Sequence, residues 1–291
     1  MAPFPSPTAL WHDNTYPSIS PSRPELSAKG KSVLVTGGGT GIGGETALYF
    51  AKAGAMRIAL LGRREQPLLD NKARIESECP GVEVFTKATD ITKKSEVDAA
   101  FDKFAGNGNI DILISAAAIG GPKESINGAD AEKFVESVNF NVSGSLYVAK
   151  AFLRVAAKEA VVVDVNSAAA HLSLPELPGY AAYSVAKLAV FRLWDVLANA
   201  NPALRVYHIQ PGIVDTAMNR EAGGVEAIGF SDDVSLPASF SVWLASGEAH
   251  FLKGKYLWAN WDVDELKARA KELEDSPQLT IGLVGWPFSG M

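Results

Sequence analysis

From Lys31 to Ile209 the chain alternates short apolar runs with longer stretches of helical character. Ser32–Thr36, Met56–Leu61, Val82–Lys87, Ile110–Ser115, Ala160–Asn166 and Leu204–Ile209 read as strands, with Lys255–Trp258 a short seventh. Most are near-continuous Val, Ile, Leu and Ala, the pattern of strands buried on both faces. Between them, Gly41–Ala53, Gln66–Cys79 (interrupted early by Pro67), Ser95–Phe104, Asp130–Lys158 and Tyr180–Ala200 read as helices. Strand, helix and strand in repetition make parallel pairs with crossovers of one hand, which place helices on both faces of one sheet. The fold class is therefore α/β, a doubly wound parallel sheet of about seven strands in a single domain.

That domain spans residues 30–262, and neither an internal repeat nor a second domain is visible. Residues 1–29 form an extension with Pro3, Pro5, Pro7, Pro17, Pro21 and Pro24, which cannot be a helix or a central strand. Trp11, Tyr16 and Ile19 could pin it to a surface. Residues 214–234 carry Gly223, Gly224 and Gly229 with little periodicity, as in a mobile lid. A helix at about 237–246 follows. Residues 263–291 are a C-terminal helix and tail, opened by the capping pattern Asp262-Val-Asp-Glu265.

The 27 basic and 33 acidic side chains leave a net charge of −6. An acidic chain without a basic cluster argues against nucleic acid as partner. Cys79 is the single cysteine, so no intrachain disulfide forms, and no cysteine-rich metal site exists. His171, His208 and His250 lack metal-ligand spacing, so no metal is expected. His208 lies in an apolar strand and reads as a hydrogen-bonded structural histidine; His171 could face substrate. No apolar run approaches the roughly 20 residues of a membrane helix. The first residues hold no basic region followed by an apolar core, and a soluble cytoplasmic protein is the expectation.

Between the first strand and helix stands Thr36-Gly37-Gly38-Gly39-Thr40-Gly41-Ile42-Gly43-Gly44. Gly39, Gly41 and Gly44 fit G-x-G-x-x-G, while Thr36-Gly37, Gly41 and Gly43 fit T-G-x-x-x-G-x-G. Glycines here let backbone approach a pyrophosphate, and the helix N-terminus supplies N–H groups and a positive dipole end. This is the Rossmann arrangement for a dinucleotide. The second strand should end in an acid that grips a ribose 2′-hydroxyl. Here it ends Gly62-Arg63-Arg64, and two guanidinium forks suit a 2′-phosphate, hence NADP. Further on, Tyr183-Ser184-Val185-Ala186-Lys187 puts a phenol and an ammonium at i and i+4 on one helix face. A nearby cation eases loss of the phenol proton.

Taken together, these motifs resemble the short-chain dehydrogenase/reductase family over about residues 30–258. The resemblance implies a strand order of 3-2-1-4-5-6-7. It makes Asn141, Ser167, Tyr183 and Lys187 the catalytic tetrad. Tyr180 is excluded, because Ser184 stands four residues on. Gly37, Gly39, Thr40, Gly41, Ile42 and Gly43 become the cofactor loop, and Asp90 with Ile91 the adenine contact. Ala116 and Ala117 lie beside the cofactor where the family has N-N-A-G, and the strand-tying asparagine is lost. Pro211-Gly212 leads to Ile213, whose backbone would hold the nicotinamide carboxamide together with the Thr216 hydroxyl. Tyr183 lies sixteen positions after Ser167, a few more than usual, and Leu172, Leu174 and Leu177 lie in the excess. Leu257-Trp258-Ala259-Asn260-Trp261-Asp262 replaces the family's usual final Asp-Gly-Gly. The proline-rich start and tryptophan-rich end look similar to filamentous-fungal members, many of them reductases of specialised metabolism.

The expected function is NADP(H)-dependent interconversion of a ketone and a secondary alcohol. The substrate is expected to be bulky and largely apolar, closed over by Met218, Val225, Ile228 and Phe230. The assembly expected from the family is a homodimer or homotetramer. The alternatives are a non-redox cyclase or dehydratase on the same scaffold, and a non-catalytic NADP-binding protein.

Overall fold

A computed structural model describes residues 3–172, 179–221, 223–227 and 229–283. Seven strands form one sheet: β1 (Ser32–Thr36), β2 (Arg57–Gly62), β3 (Glu83–Ala88), β4 (Ile110–Ser115), β5 (Ala156–Val165), β6 (Arg205–Gln210) and β7 (Tyr256–Trp258). They run parallel in the order β3-β2-β1-β4-β5-β6-β7. The order reverses between β1 and β4, and the carboxyl ends of those strands open the crevice where such sheets bind ligands.

The helices are α1 (Gly41–Lys52), α2 (Glu65–Glu78), α3 (Lys94–Ala105), α4 (Ala131–Val155), α5 (Ala181–Ala200), α6 (Ala217–Glu221), α7 (Ser235–Ala245), α8 (Val263–Ala268) and α9 (Ala270–Glu274). Alternate residues of each strand feed two cores. Val33, Val35, Ile58 and Leu60 pack with Ala47, Phe50, Phe240 and Trp243 of α1 and α7. Leu34, Ala59, Leu61 and Leu113 pack with Phe101, Phe152 and Trp194 of α3, α4 and α5. This two-sided burial is why the strands lack polar alternation.

Three elements depart from the sequence reading. Pro67 does not interrupt α2, because it falls in the first turn, where a backbone N–H has no intrahelical partner to lose. The long helix ends at Val155 rather than Lys158. Ala156 pairs with Ile110, and Asn109 Nδ2 reaches the Ala156 carbonyl at 3.2 Å, so sheet pairing overrides helix-forming Ala-Ala-Lys-Glu. The C-terminal helix is split at Arg269 (φ −103°, ψ 15°) into α8 and α9.

The extension lies as a strap across the carboxyl-end corner of the sheet. Phe4 sits 5.1 Å from Trp258 and 6.0 Å from Phe230, ring centre to ring centre, and Trp11 sits 5.8 Å from Trp258. Asp262 caps α8 by accepting from Asp264 N and Glu265 N. Glu265 does not close a capping box; its carboxylate takes the strap's Ala9 and Leu10 N–H groups at 2.6 and 2.9 Å. Ile19 and Leu26, in two short 3-10 turns, are buried in the core. Among the described residues, no helix is long and apolar enough to cross a membrane.

Candidate active site

The glycine loop turns from β1 into α1 under tight steric limits. Gly37 has φ +73° and passes 3.1 Å from Ala117 N, measured from where its Cβ would stand. A Cβ on Gly43 would lie 2.5 Å from the Gly37 carbonyl oxygen, a distance real Cβ atoms do not reach. Two side chains secure the loop. Thr36 Oγ1 accepts from Ala116 N and Ala117 N at 3.1 and 3.2 Å, tying β1 to β4 where the family's asparagine is missing. Asn71 of α2, buried, donates to Gly38 O at 2.8 Å and Gly44 O at 3.2 Å. Sequence reasoning missed Asn71, since nothing local distinguishes it from other helix asparagines.

A cleft of about 600 Å³ runs along the carboxyl ends of the strands. Arg63 and Arg64 stand at one end and Tyr183 and Lys187 at the other, with Gly37, Gly39, Thr40, Gly41, Ile42 and Gly43 between them. Ile91, Ala116, Ala117, Pro211 and Thr216 line it as well. Both arginines are exposed, and Arg63 lies 5.4 Å above the Phe140 ring centre. Asp90 is half-buried between Thr89 and Ile91, which line the cleft while it does not; its Oδ1 accepts from Thr92 N and Oγ1 at 3.0 and 2.7 Å.

At the far end, buried Lys187 donates from Nζ to Val165 O at 2.8 Å, with Nζ 5.6 Å from the Tyr183 ring centre. Ser167 opens a 3-10 turn, its Oγ accepting from Ala169 N at 3.2 Å. Asn166 Oδ1 accepts from Ser167 N at 2.9 Å, and its Nδ2 donates to Lys187 O at 3.2 Å, so one amide joins the Ser167 and Lys187 segments. Asn141 is buried in α4. It brackets Ile119, accepting from its N–H and donating to its carbonyl, both at 3.1 Å, and also donates to Ser137 O. It fixes the loop after β4.

One row below, strand register aligns Thr36, Ser115, Asp164, His208 and Tyr256 across five strands. His208 Nδ1 and Asp164 Oδ2 are 3.0 Å apart and fully buried, and Asp164 also accepts from Asn166 at 2.7 Å. His208 is thus a hydrogen-bonded structural group. His171 Nε2 accepts from Trp258 Nε1 at 3.0 Å, which leaves the proton on Nδ1, and partial loss of water around the ring pushes its pKa down.

Gly212 (φ +89°) lets the segment after β6 turn sharply. The Ile213 N–H is bonded to Asp232 Oδ2 at 2.6 Å, a partner the sequence did not reveal. Thr216 Oγ1 accepts from Asn219 N at 3.1 Å, at the start of α6. Met218, Val225 and Phe230 are half-buried; Ile228, Leu174 and Leu177 lie outside the described residues. Among the described residues, no cluster of His, Cys, Asp and Glu could hold a metal ion.

A family model described as short chain dehydrogenase matches residues 31–226. The chain belongs to the short-chain dehydrogenase/reductase family. Curated relatives include the short chain dehydrogenase/reductase AacuD of Aspergillus aculeatus, 35% identical over 97% of this chain and 98% of its own length. Another is nsrO of Aspergillus novofumigatus, 31% identical over 96% and 97%. A solved short-chain type dehydrogenase/reductase from Mycobacterium ulcerans superposes with TM-score 0.72 at 27% identity, covering 80% of this chain and 89% of that one. Short-chain dehydrogenase/reductases are oxidoreductases that work with a nicotinamide cofactor, NAD or NADP, and the glycine loop and cleft fit such a dinucleotide.

Proposed function

We propose that this oxidoreductase uses NADP(H) to interconvert a ketone and a secondary alcohol on a bulky, largely apolar substrate, acting in the cytoplasm as a homodimer or homotetramer. The observation that carries the reading is one cleft with Tyr183 and Lys187 at one end and two exposed arginines at the other. Arg63 and Arg64 would hold a 2′-phosphate, and the Gly37–Gly43 loop the pyrophosphate. Asp90 and Ile91 would face the adenine. The cofactor, when bound, supplies or accepts the hydride.

The chain's own residues handle orientation and the proton. Ser167 Oγ donates a hydrogen bond to the carbonyl oxygen, where negative charge develops in reduction. Tyr183 gives its phenolic proton to the same oxygen. The Lys187 ammonium, fixed by Val165 O, favours the phenolate left behind. Asn141 holds the loop bordering this end through Ile119 and would position a water on the path that returns the proton.

Support for an apolar substrate comes from the aromatic ladder outward from Ser167. His171 leads to Trp258, Trp258 to Phe4 and Trp11, and Phe4 to Phe230. Flat apolar ligands gain burial against such rings. The test is NADPH consumption with a panel running from fused-ring ketones to short hydrophilic ones. Preference for the fused-ring members supports the reading; best turnover on small charged ketones contradicts it.

A further inference from the structure

We propose that Asp232 is a positioning residue for the cofactor's nicotinamide end, a role that rests on the reading of Pro211–Thr216 as the segment receiving that end. Its carboxylate latches this segment to Asn260, and through Asn260 to the N-terminal strap.

Asp232 holds Ile213 from both sides. Its Oδ2 accepts from Ile213 N at 2.6 Å, and its own N–H donates to Ile213 O at 2.7 Å. Val214 and Asp232 form a parallel bridge. The approach is so close that a Cβ on Gly212 would stand 2.7 Å from Asp232 Oδ2. The second oxygen, Oδ1, accepts from Asn260 Nδ2 at 2.9 Å. Asn260 is gripped in turn by the strap: Nδ2 donates to His12 O, and His12 N donates to Asn260 O, both at 2.9 Å. Beside them Asp233 N donates to Asp13 O at 2.7 Å.

The chemistry explains why a carboxylate stands here. Two N–H donors converge, so both oxygens must accept. An asparagine offers one acceptor and one donor; its NH₂ would face either the Ile213 N–H or the Asn260 amide. Turning the Asn260 amide over would cure the second clash but take the donor from His12 O. Asp232 is 5% exposed, and burial pushes its pKa up to about 6. The fold thus keeps an ionised acid where desolvation opposes it, beside the segment nearest the reacting end of the cleft. Since Ile213 N–H is committed to Asp232, the carboxylate acts by shaping the turn that carries Pro211 and Thr216, both of which line the cleft.

The test uses the full-length protein and two ligands. NADPH engages both ends of the cleft, whereas 2′,5′-ADP carries the 2′-phosphate but no nicotinamide. Asp232→Asn should raise the Kd for NADPH about tenfold or more, the scale of one lost charge-assisted hydrogen bond. The Kd for 2′,5′-ADP should stay within about twofold, because its site is distant and independent. Asn260→Ala should shift the two ligands in the same selective way, and it carries the test if Asp232→Asn does not fold. Equal weakening of both ligands, or of neither, in folded protein overturns the proposal. So does a wild-type protein that binds 2′,5′-ADP as tightly as NADPH. Wild-type protein that binds neither ligand overturns the proposed function itself.

Discussion

Two side chains carry distinct predictions. Arg63 rests on Phe140 and presents its guanidinium to the cleft. Replacing it with alanine removes a charge-assisted phosphate contact of about 1.5–3 kcal/mol. Titration should then show NADPH losing its advantage over NADH, with NADH affinity nearly unchanged. Equal affinities in the wild type would contradict the NADP assignment. Asp232 predicts a pH effect. Its pKa in the folded chain, about 6, lies above its ordinary 3.8. The folded state therefore binds the proton more tightly between those values. The stability this group contributes is full below about 3.8 and lost as pH rises through about 6. Melting temperatures of wild type minus Asp232→Asn should fall between about pH 4.5 and pH 7.5; a difference flat across that range would refute it. Tyr183 and Lys187 were legible because i, i+4 spacing is local. Asp232 was not, because its partners Ile213 and Asn260, and the His12 that holds Asn260, come from three separate segments.

Elements are held as much by distant side chains as by local propensity. Gly43→Ala tests the loop at the head of α1. Its Cβ would meet the Gly37 carbonyl oxygen at 2.5 Å, and backbone cannot swing aside as a flexible side chain can. Overpacking of this kind costs about 1–3 kcal/mol. A lowered melting temperature and lost NADPH binding are expected; unchanged values of both would show the loop to be pliable. That these runs are strands buried on both faces follows from their pattern, since Val33 to Val35 and Ile112 to Ile114 are apolar throughout; the strand order came from the family resemblance, and the sheet has it. The strap was half legible. Trp11, Tyr16 and Ile19 suggested anchorage, and Ile19 is fully buried. That Glu265 would leave its capping box for Ala9 and Leu10 depends on contacts more than 250 residues apart in sequence. The match to AacuD spans 97% of the chain, so it takes in most of this extension.

Across the whole molecule, α4 and α5 leave Val135, Leu146, Val185, Leu188 and Val196 more than two-fifths exposed. Five large apolar side chains on two neighbouring helices suit a subunit interface. Sedimentation at micromolar concentration should show a dimer or tetramer, and Val185→Glu with Leu188→Glu should shift it toward monomer; a monomeric wild type would contradict the assembly. The central claim is that the cleft performs hydride chemistry with Tyr183 as proton donor. The most direct measurement is NADPH oxidation by wild type and Tyr183→Phe, with the NADPH Kd of each measured alongside. Phenylalanine keeps the ring and removes the proton. A positioned general acid contributes about 10²–10⁴-fold, so turnover should fall by that order while the Kd stays within about twofold. Tyr183→Phe turning over at the wild-type rate in a step limited by chemistry would contradict the account, as would bound NADPH that no ketone oxidises.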